Sequence, residues 1–428
     1  MYKLILPTLL LILMGCSENE LTNLVSDKYP DAHVVKNRTI EEAAEIANQL
    51  LANGITITRN NADITLNPKP HIVSSKMSRS QNSDTLLYAF DLVDKNGFIL
   101  IAAPKNVEPI MAVVETGSFE DVSSNNTPAF QTTFDLMTNY VYMSSRGEDG
   151  LHDWTINPTL PTNPHVSMRI IRNWEPSVEV VWGQRWPEGF YAPNKLAGCV
   201  PLAIGMALSV FEKPYEITYT FVGRDLDKEK LDWREIKKHK QSSGFYSGCE
   251  VCSVSDDATH NTIGRLIRQI GEIVKANYSK NPYVTTATTG SAEGVISQFA
   301  NRTPDDKRGA RYSNKPGTID SLYNRLTNNA GVAIVDYGSK ENLGMGHAFI
   351  ADAVQIVRYY YIDGSPLITT DDVKMIHYNW GDAGSCNGWY YLDAVNPDDA
   401  YSYDFGEIEN EYMVEGDVRS LQYWYYKL

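Results

Sequence analysis

The sequence predicts an α+β protein built in two parts, and three observations carry that expectation. Helix-spaced and strand-alternating apolar segments occupy separate stretches of the chain, the order of an α+β fold. Asp94-Lys95-Asn96-Gly97 falls between two alternating segments and marks an antiparallel hairpin, with Asn-Gly supplying the positive φ angles. Residues 144–164 include Arg146-Gly147-Glu148-Asp149-Gly150 and prolines at 158, 161 and 164, so they read as a polar linker between two units.

The elements follow in order. Residues 1–15 read as a lipoprotein signal peptide: Lys3 is its basic start, Leu4 to Met14 its apolar run, and Leu13-Met14-Gly15-Cys16 resembles the bacterial lipobox. A mature chain lipidated at Cys16 would be exported and membrane-anchored, an outer-membrane lipoprotein facing the periplasm or the cell surface. Residues 16–143 form the first unit. Ile40, Ala43, Ala44, Ile46, Ala47, Leu50 and Leu51 keep helical spacing, with Thr39 or Asn37 as N-cap and Glu41 and Glu42 in the first turn. Strands are expected at Ile55–Thr58, Thr85–Leu92, Phe98–Ala102 and Ile110–Val114, then a helix from Pro128 to about Met143. The second unit, 165–428, opens with short aromatic strands and a helix beginning at Cys199. Further helices are expected at Asn261–Asn277 and Thr318–Leu326. Strands follow at Gly331–Val335, His347–Ala353, Tyr359–Ile362, Met375–Asn379 and Trp389–Leu392.

Composition narrows the function. The chain has 428 residues, 43% of them hydrophobic, and a net charge of −15. Its mean hydropathy is −0.33 and its pI near 5.0, which describes an ordinary globular protein and argues against nucleic acid as a partner. No apolar run beyond the N-terminus is long enough to span a bilayer.

Cys199 is the most informative residue. In Ala197-Gly198-Cys199-Val200-Pro201-Leu202 a glycine turn precedes a helix-spaced apolar run, which places the sulfur at a helix N-terminus. There the helix dipole and free N–H groups favour thiolate over thiol. Of the other cysteines, Cys249-x-x-Cys252 lies in a Ser/Gly-rich loop as a local disulfide, two free thiols or half of a zinc site without a visible second half. Cys386 reads as a free thiol in a glycine-rich loop.

A cysteine nucleophile needs a base, an orienter for the base and an oxyanion donor. His347, in Gly344-Met345-Gly346-His347-Ala348-Phe349, lies 148 residues after Cys199 at the start of an apolar strand. Alone it would read as a core histidine at a strand end; beside a thiolate it reads as the base. Asn379, 32 residues later in His377-Tyr378-Asn379-Trp380-Gly381, offers an amide oxygen to hold the imidazole. The Trp380 indole would shield that bond, and His377 reads as structural. Gln184, in Val181-Trp182-Gly183-Gln184, offers a side-chain N–H to an oxyanion beside the Cys199 N–H.

With these pieces placed, the sequence resembles the streptopain family of papain-like cysteine peptidases, common as exported proteins of Bacteroides-type bacteria. The resemblance rests on Trp182-Gly183-Gln184, Ala192-Pro193-Asn194, Gly198-Cys199-Val200, Gly346-His347-Ala348-Phe349 and Asn379-Trp380-Gly381-Asp382-Ala383-Gly384. It extends to the first unit, where Leu87-Tyr88-Ala89-Phe90 and Asn96 to Ala102 look like that family's inhibitory propeptide. The resemblance implies a two-subdomain papain-like catalytic domain behind a propeptide, and an endopeptidase made as a zymogen. It implies catalytic Cys199, His347, Asn379 and Gln184, a cleft bordered by Gly346, Trp380 and Asp382, and cleavage within 144–164. It also implies that the propeptide displaces the histidine in the full-length chain. Protein or peptide substrates and the chain's own propeptide are the implied partners; no cofactor or metal is required. Departures are Val200-Pro201-Leu202 after the cysteine, Asp382-Ala383 where the family has Trp-Gly, and Ala351-Asp352-Ala353 after the histidine. The changed loop at Asp382 leaves two rivals: a surface lipoprotein, inactive or weakly active, that uses the fold for binding, and an acyltransferase or amidase on the same fold.

Overall fold

Residues 36–52, 64–75, 84–93, 97–120, 128–146, 166–221, 227–238, 258–279, 285–287, 292–299, 310–311, 319–329, 332–339, 347–361, 372–396 and 418–426 are described by a computed structural model. Cys16, Ile55–Thr58, Cys249, Cys252, Gly346 and nearly all of the expected linker lie outside them.

The chain opens with α1 (Ile40–Ala52), where Thr39 and Glu42 cap reciprocally: Thr39 N–H donates to the Glu42 carboxylate at 2.8 Å, and Glu42 N–H to Thr39 Oγ1 at 3.2 Å. Of the two expected caps, Thr39 is therefore the one used. β1 (His71–Ser75), β2 (Asp84–Asp91), β3 (Phe98–Ala102) and β4 (Ile110–Val114) form an antiparallel meander onto which α1 and α2 (Pro128–Ser145) pack. α2 continues through Ser144 and Ser145, so the helix takes the first residues assigned to the linker.

β5 (Val166–Trp174) follows, then α3 (Cys199–Phe211), β6 (Glu216–Tyr219), β7 (Asp227–Lys230), α4 (Trp233–Lys238) and α5 (Ala258–Ile273). Next come β8 (Asn277–Tyr278), β9 (Thr285–Thr286), α6 (Ala292–Phe299), β10 (Ala310–Arg311), α7 (Ile319–Asn329), β11 (Val332–Ser339) and β12 (His347–Tyr361). β13 (Val373–Asn379), β14 (Gly388–Tyr391) and β15 (Val418–Tyr426) complete the order. α5 ends four residues before Asn277 because Lys275 turns left-handed at φ 56° and the Ala276 N–H closes onto the Gly271 carbonyl. The two strands expected at His347–Ala353 and Tyr359–Ile362 are one strand, β12, carrying a bulge between Ala351 and Ala353.

Lys36–Leu428 packs as one unit, and one sheet runs through both of its parts in the order β1-β2-β3-β4-β14-β13-β12-β11-β15-β10, with β5 on the far half of β12. The join is β4 against β14, where Val114 faces Gly388 and Val113 faces Trp389. Strand alternation separates two cores. Ala333, Val335, Phe349 and Ala351 join the core shared with the N-terminal part, while Val332, Ile334, Ala348 and Ile350 face the core around α3. α3 is apolar all round and buried from Val200 to Ser209, as a helix enclosed by sheet and helices must be. The architecture is thus the expected α+β.

Candidate active site

Cys199 is the first residue of α3 and forms no disulfide among the described residues. The preceding Gly198 has φ 88° and no side chain caps the helix, so the N-terminal N–H groups are left to the sulfur and whatever it attacks. Only glycine fits at 198: a Cβ there would lie 2.7 Å from the Thr285 methyl, in a backbone region that disfavours other residues. The turn ahead of the cysteine is tied down by side chains. Thr285 Oγ1 donates to the Leu196 carbonyl at 3.1 Å and receives the Asn194 amide at 3.0 Å.

Gln184 is held beside this turn, its carbonyl accepting the Ala197 N–H at 2.7 Å. Its side-chain Nε2 is buried and makes no hydrogen bond among the described residues. Such an amide costs about 1–3 kcal/mol; an anionic oxygen arriving there would satisfy it. Four residues on, Glu188 is buried, and burial lifts its carboxyl to about 8 even though the Gly183 N–H bonds to it. Pro187-Glu188-Gly189 looks like an exposed turn in the sequence, so nothing there signalled this buried acid.

His347 opens β12, its ring lying over Phe349 at 6.4 Å between centroids. Its Nε2 is 3.0 Å from the Trp380 carbonyl. A carbonyl only accepts, so Nε2 carries the proton and donates it. In the full-length chain this nitrogen is therefore paired with the Trp380 backbone rather than with the Asn379 side chain. Asn379 is engaged elsewhere, with Nδ2 donating to the Val180 carbonyl and Oδ1 accepting the Gly381 N–H, each at 3.2 Å. Trp380 is fully buried; its indole N–H reaches the Cys386 carbonyl at 2.9 Å and Tyr390 Oη at 3.1 Å. Asp382 sits in a tight loop where Gly381, Ala383 and Gly384 all have positive φ, and its carbonyl accepts the Ser385 N–H at 2.8 Å. Cys386 is free but buried, and burial pushes its thiol up, so it is no rival nucleophile.

His377 does more than sequence reading gave it. Nδ1 donates to Asp352 Oδ1 at 2.6 Å, and Nε2 lies 3.5 Å from Glu115 of the N-terminal part. Burial alone would lower this imidazole, but Asp352 and Glu115 carry it up to about 10, so it is a cation between two carboxylates. Glu115 N–H also donates to the Asn387 carbonyl at 2.7 Å, and Thr116 Oγ1 bonds the Gly384 carbonyl. A second acid crosses the same junction: Tyr359 Oη donates to Glu108 at 2.6 Å, and burial raises Glu108 to about 7.

Residues 178–390 match the peptidase C10 family, and residues 32–141 match the Spi protease inhibitor family. No curated protein matches the chain significantly. Among solved structures, the chain is similar to a fragment of prointerpain A from Prevotella intermedia at 17% identity and a TM-score of 0.47, over 83% of this chain and 98% of that one. It is also similar to active interpain A of that organism at 18% identity and a TM-score of 0.32, over 52% of this chain and 87% of that one.

Proposed function

We propose, on the premise that this chain belongs to the peptidase C10 family of cysteine peptidases and carries a Spi-type inhibitor domain ahead of its catalytic part, that Cys199 is the nucleophile of a lipid-anchored endopeptidase. The thiolate attacks the scissile carbonyl carbon. The oxyanion takes hydrogen bonds from Gln184 Nε2 and the Cys199 N–H. The His347 imidazolium gives its proton to the leaving amine, and a Cys199 thioester remains. Water then attacks the thioester, His347 accepts the water proton, and the acid product leaves as the thiolate returns. The observation that carries this reading is the buried, unpartnered Gln184 amide tied to the turn that presents Cys199.

The full-length chain is the latent form. His347 donates to the Trp380 carbonyl while Asn379 Oδ1 is held by the Gly381 N–H. Removal of the inhibitor domain, after cleavage within 144–164, lets the imidazole turn to Asn379 and lets Trp380 shield the new bond. Gly346 and Asp382 border the cleft. Cys16 carries the acyl anchor and places the enzyme at the outer membrane. The test is peptide hydrolysis by the processed chain, with products defined by mass spectrometry. Hydrolysis must disappear in Cys199→Ser; turnover that survives this change excludes Cys199.

A further inference from the structure

The segment from Val178 to Gln184 is bonded at every second residue, each time to a different part of the catalytic apparatus. Val178 N–H donates to Asp352 Oδ2 at 2.9 Å, on the strand that begins with His347. The Val180 carbonyl accepts Asn379 Nδ2 at 3.2 Å. The Trp182 carbonyl accepts the Ala383 N–H at 2.9 Å, in the loop after Trp380. The Gln184 carbonyl accepts the Ala197 N–H at 2.7 Å, ahead of Cys199. One face of the segment is buried through Val178, Val180 and Trp182, in the core around α3. It therefore cannot slide without breaking bonds to the elements that carry His347, Asn379 and Cys199 and to the loop after Trp380.

Asp352 anchors the upstream end. It sits in the bulge of β12 with its side chain wholly buried, one oxygen on Val178 and the other on His377. His377 lies two residues before Asn379, on the same face of β13. Both flanking alanines, Ala351 and Ala353, are buried as well, so the carboxylate is enclosed on every side and depends on these two partners.

We propose that Asp352 is a positioning residue for hydrolysis, fixing the 178–184 segment so that Gln184, Asn379 and the Cys199 turn stay in mutual register. This rests on the cysteine peptidase reading but adds a residue that touches no substrate. Its removal lets the oxyanion donor drift, and misplacement on the order of an ångström costs roughly 10²-fold in rate.

The test has two arms. In the full-length chain, hydrogen exchange is compared between wild type and Asp352→Ala in the peptides covering 176–184, 195–199 and 381–385. Faster exchange in all three together supports the proposal; a change confined to 176–180 overturns it. This arm does not depend on activity, so it stands even if the wild-type chain hydrolyses nothing. In the processed enzyme, Asp352→Ala should lower kcat about 10²-fold with KM within about threefold, while Asp352→Asn, which keeps an acceptor for Val178, stays within about tenfold of wild type. Combined with Gln184→Ala it should add little to the loss from Gln184→Ala alone, because both act on one group. Losses that multiply, or a lowered melting temperature with unchanged kcat, overturn it. Should Asp352→Ala fail to fold, Val178→Pro removes the donated N–H, along with part of the buried Val178 side chain, and should give the same split between kcat and KM.

Discussion

Glu115→Gln should loosen the inhibitor domain without touching the nucleophile. The Glu115 carboxylate lies 3.5 Å from His377 Nε2, and the two side chains are 26% and 6% exposed. At that separation and an effective dielectric of about 20, the attraction is roughly 5 kcal/mol. Most of it is cancelled by the cost of taking both charges out of water, and the exposure of Glu115 puts the remainder at about 1–2 kcal/mol. That corresponds to about a 5- to 30-fold weaker hold on the inhibitor domain. The assay uses Cys199→Ser chain, which cannot process itself, cut in the linker by an added protease. Dissociation of the two parts is then followed by surface plasmon resonance from pH 5 to 10. The sign follows from His377, whose pKa is raised from 6.5 to about 10 in the closed chain. The Glu115 contribution lasts while His377 is protonated and is lost as pH rises through about 10, Asp352 staying with the imidazole throughout. Wild type and Glu115→Gln should therefore differ most below about pH 7 and converge towards pH 10. Equal affinities at pH 6, or a gap that widens above pH 9, would refute the pairing.

Glu108→Gln should act in the other direction. Burial raises Glu108 from 4.5 to about 7, so its contribution is complete below 4.5 and lost as pH rises through 7; the neutral glutamine should flatten affinity across that window and hold the domain more tightly at pH 8 in the same assay. Gly198→Ala should lower the melting temperature and nearly abolish turnover, because its methyl meets Thr285 at 2.7 Å and the backbone is held at φ 88°; wild-type kcat in this variant would mean the turn is adaptable. Cys386 should resist thiol reagents such as DTNB until the chain unfolds, since it is fully buried; rapid labelling of Cys386 in the native protein would contradict that environment.

Much of the site was legible because its signals are local. A glycine turn before an apolar helix announces Cys199, a strand start announces His347, and the capping box at Thr39 and Glu42 can be read from four consecutive residues. The long strand β12 was misread as two because its middle, Val354 to Arg358, is uniformly apolar or long-chained and shows no alternation while two neighbours cover it. α6 escaped because Ala292–Phe299 is a short stretch behind a Thr/Gly-rich run, and β15 because Val418–Tyr426 is polar near its start and follows an acidic stretch. The links made by Glu115, by Asp352 and by the backbone of Val178, Val180 and Trp182 were not legible at all, although Gln184 at the end of that segment was. Their partners lie far away in sequence, and Asp352 in Ala351-Asp352-Ala353 shows only a polar residue in an apolar strand. What would have raised it is that oddity itself: a carboxylate inside such a run must find a buried cation or N–H donor.

The central claim is a Cys199 nucleophile that the attached inhibitor domain keeps latent. Mass spectrometry of the chain treated with an epoxide-type thiol-protease inhibitor, before and after cleavage of the linker and removal of the inhibitor domain, tests it most directly. The account predicts almost no adduct on the full-length chain and one adduct per processed molecule, located on Cys199 and lost in His347→Ala. Equal labelling of the uncut chain would contradict latency, and a processed chain left unlabelled at Cys199 would contradict the nucleophile.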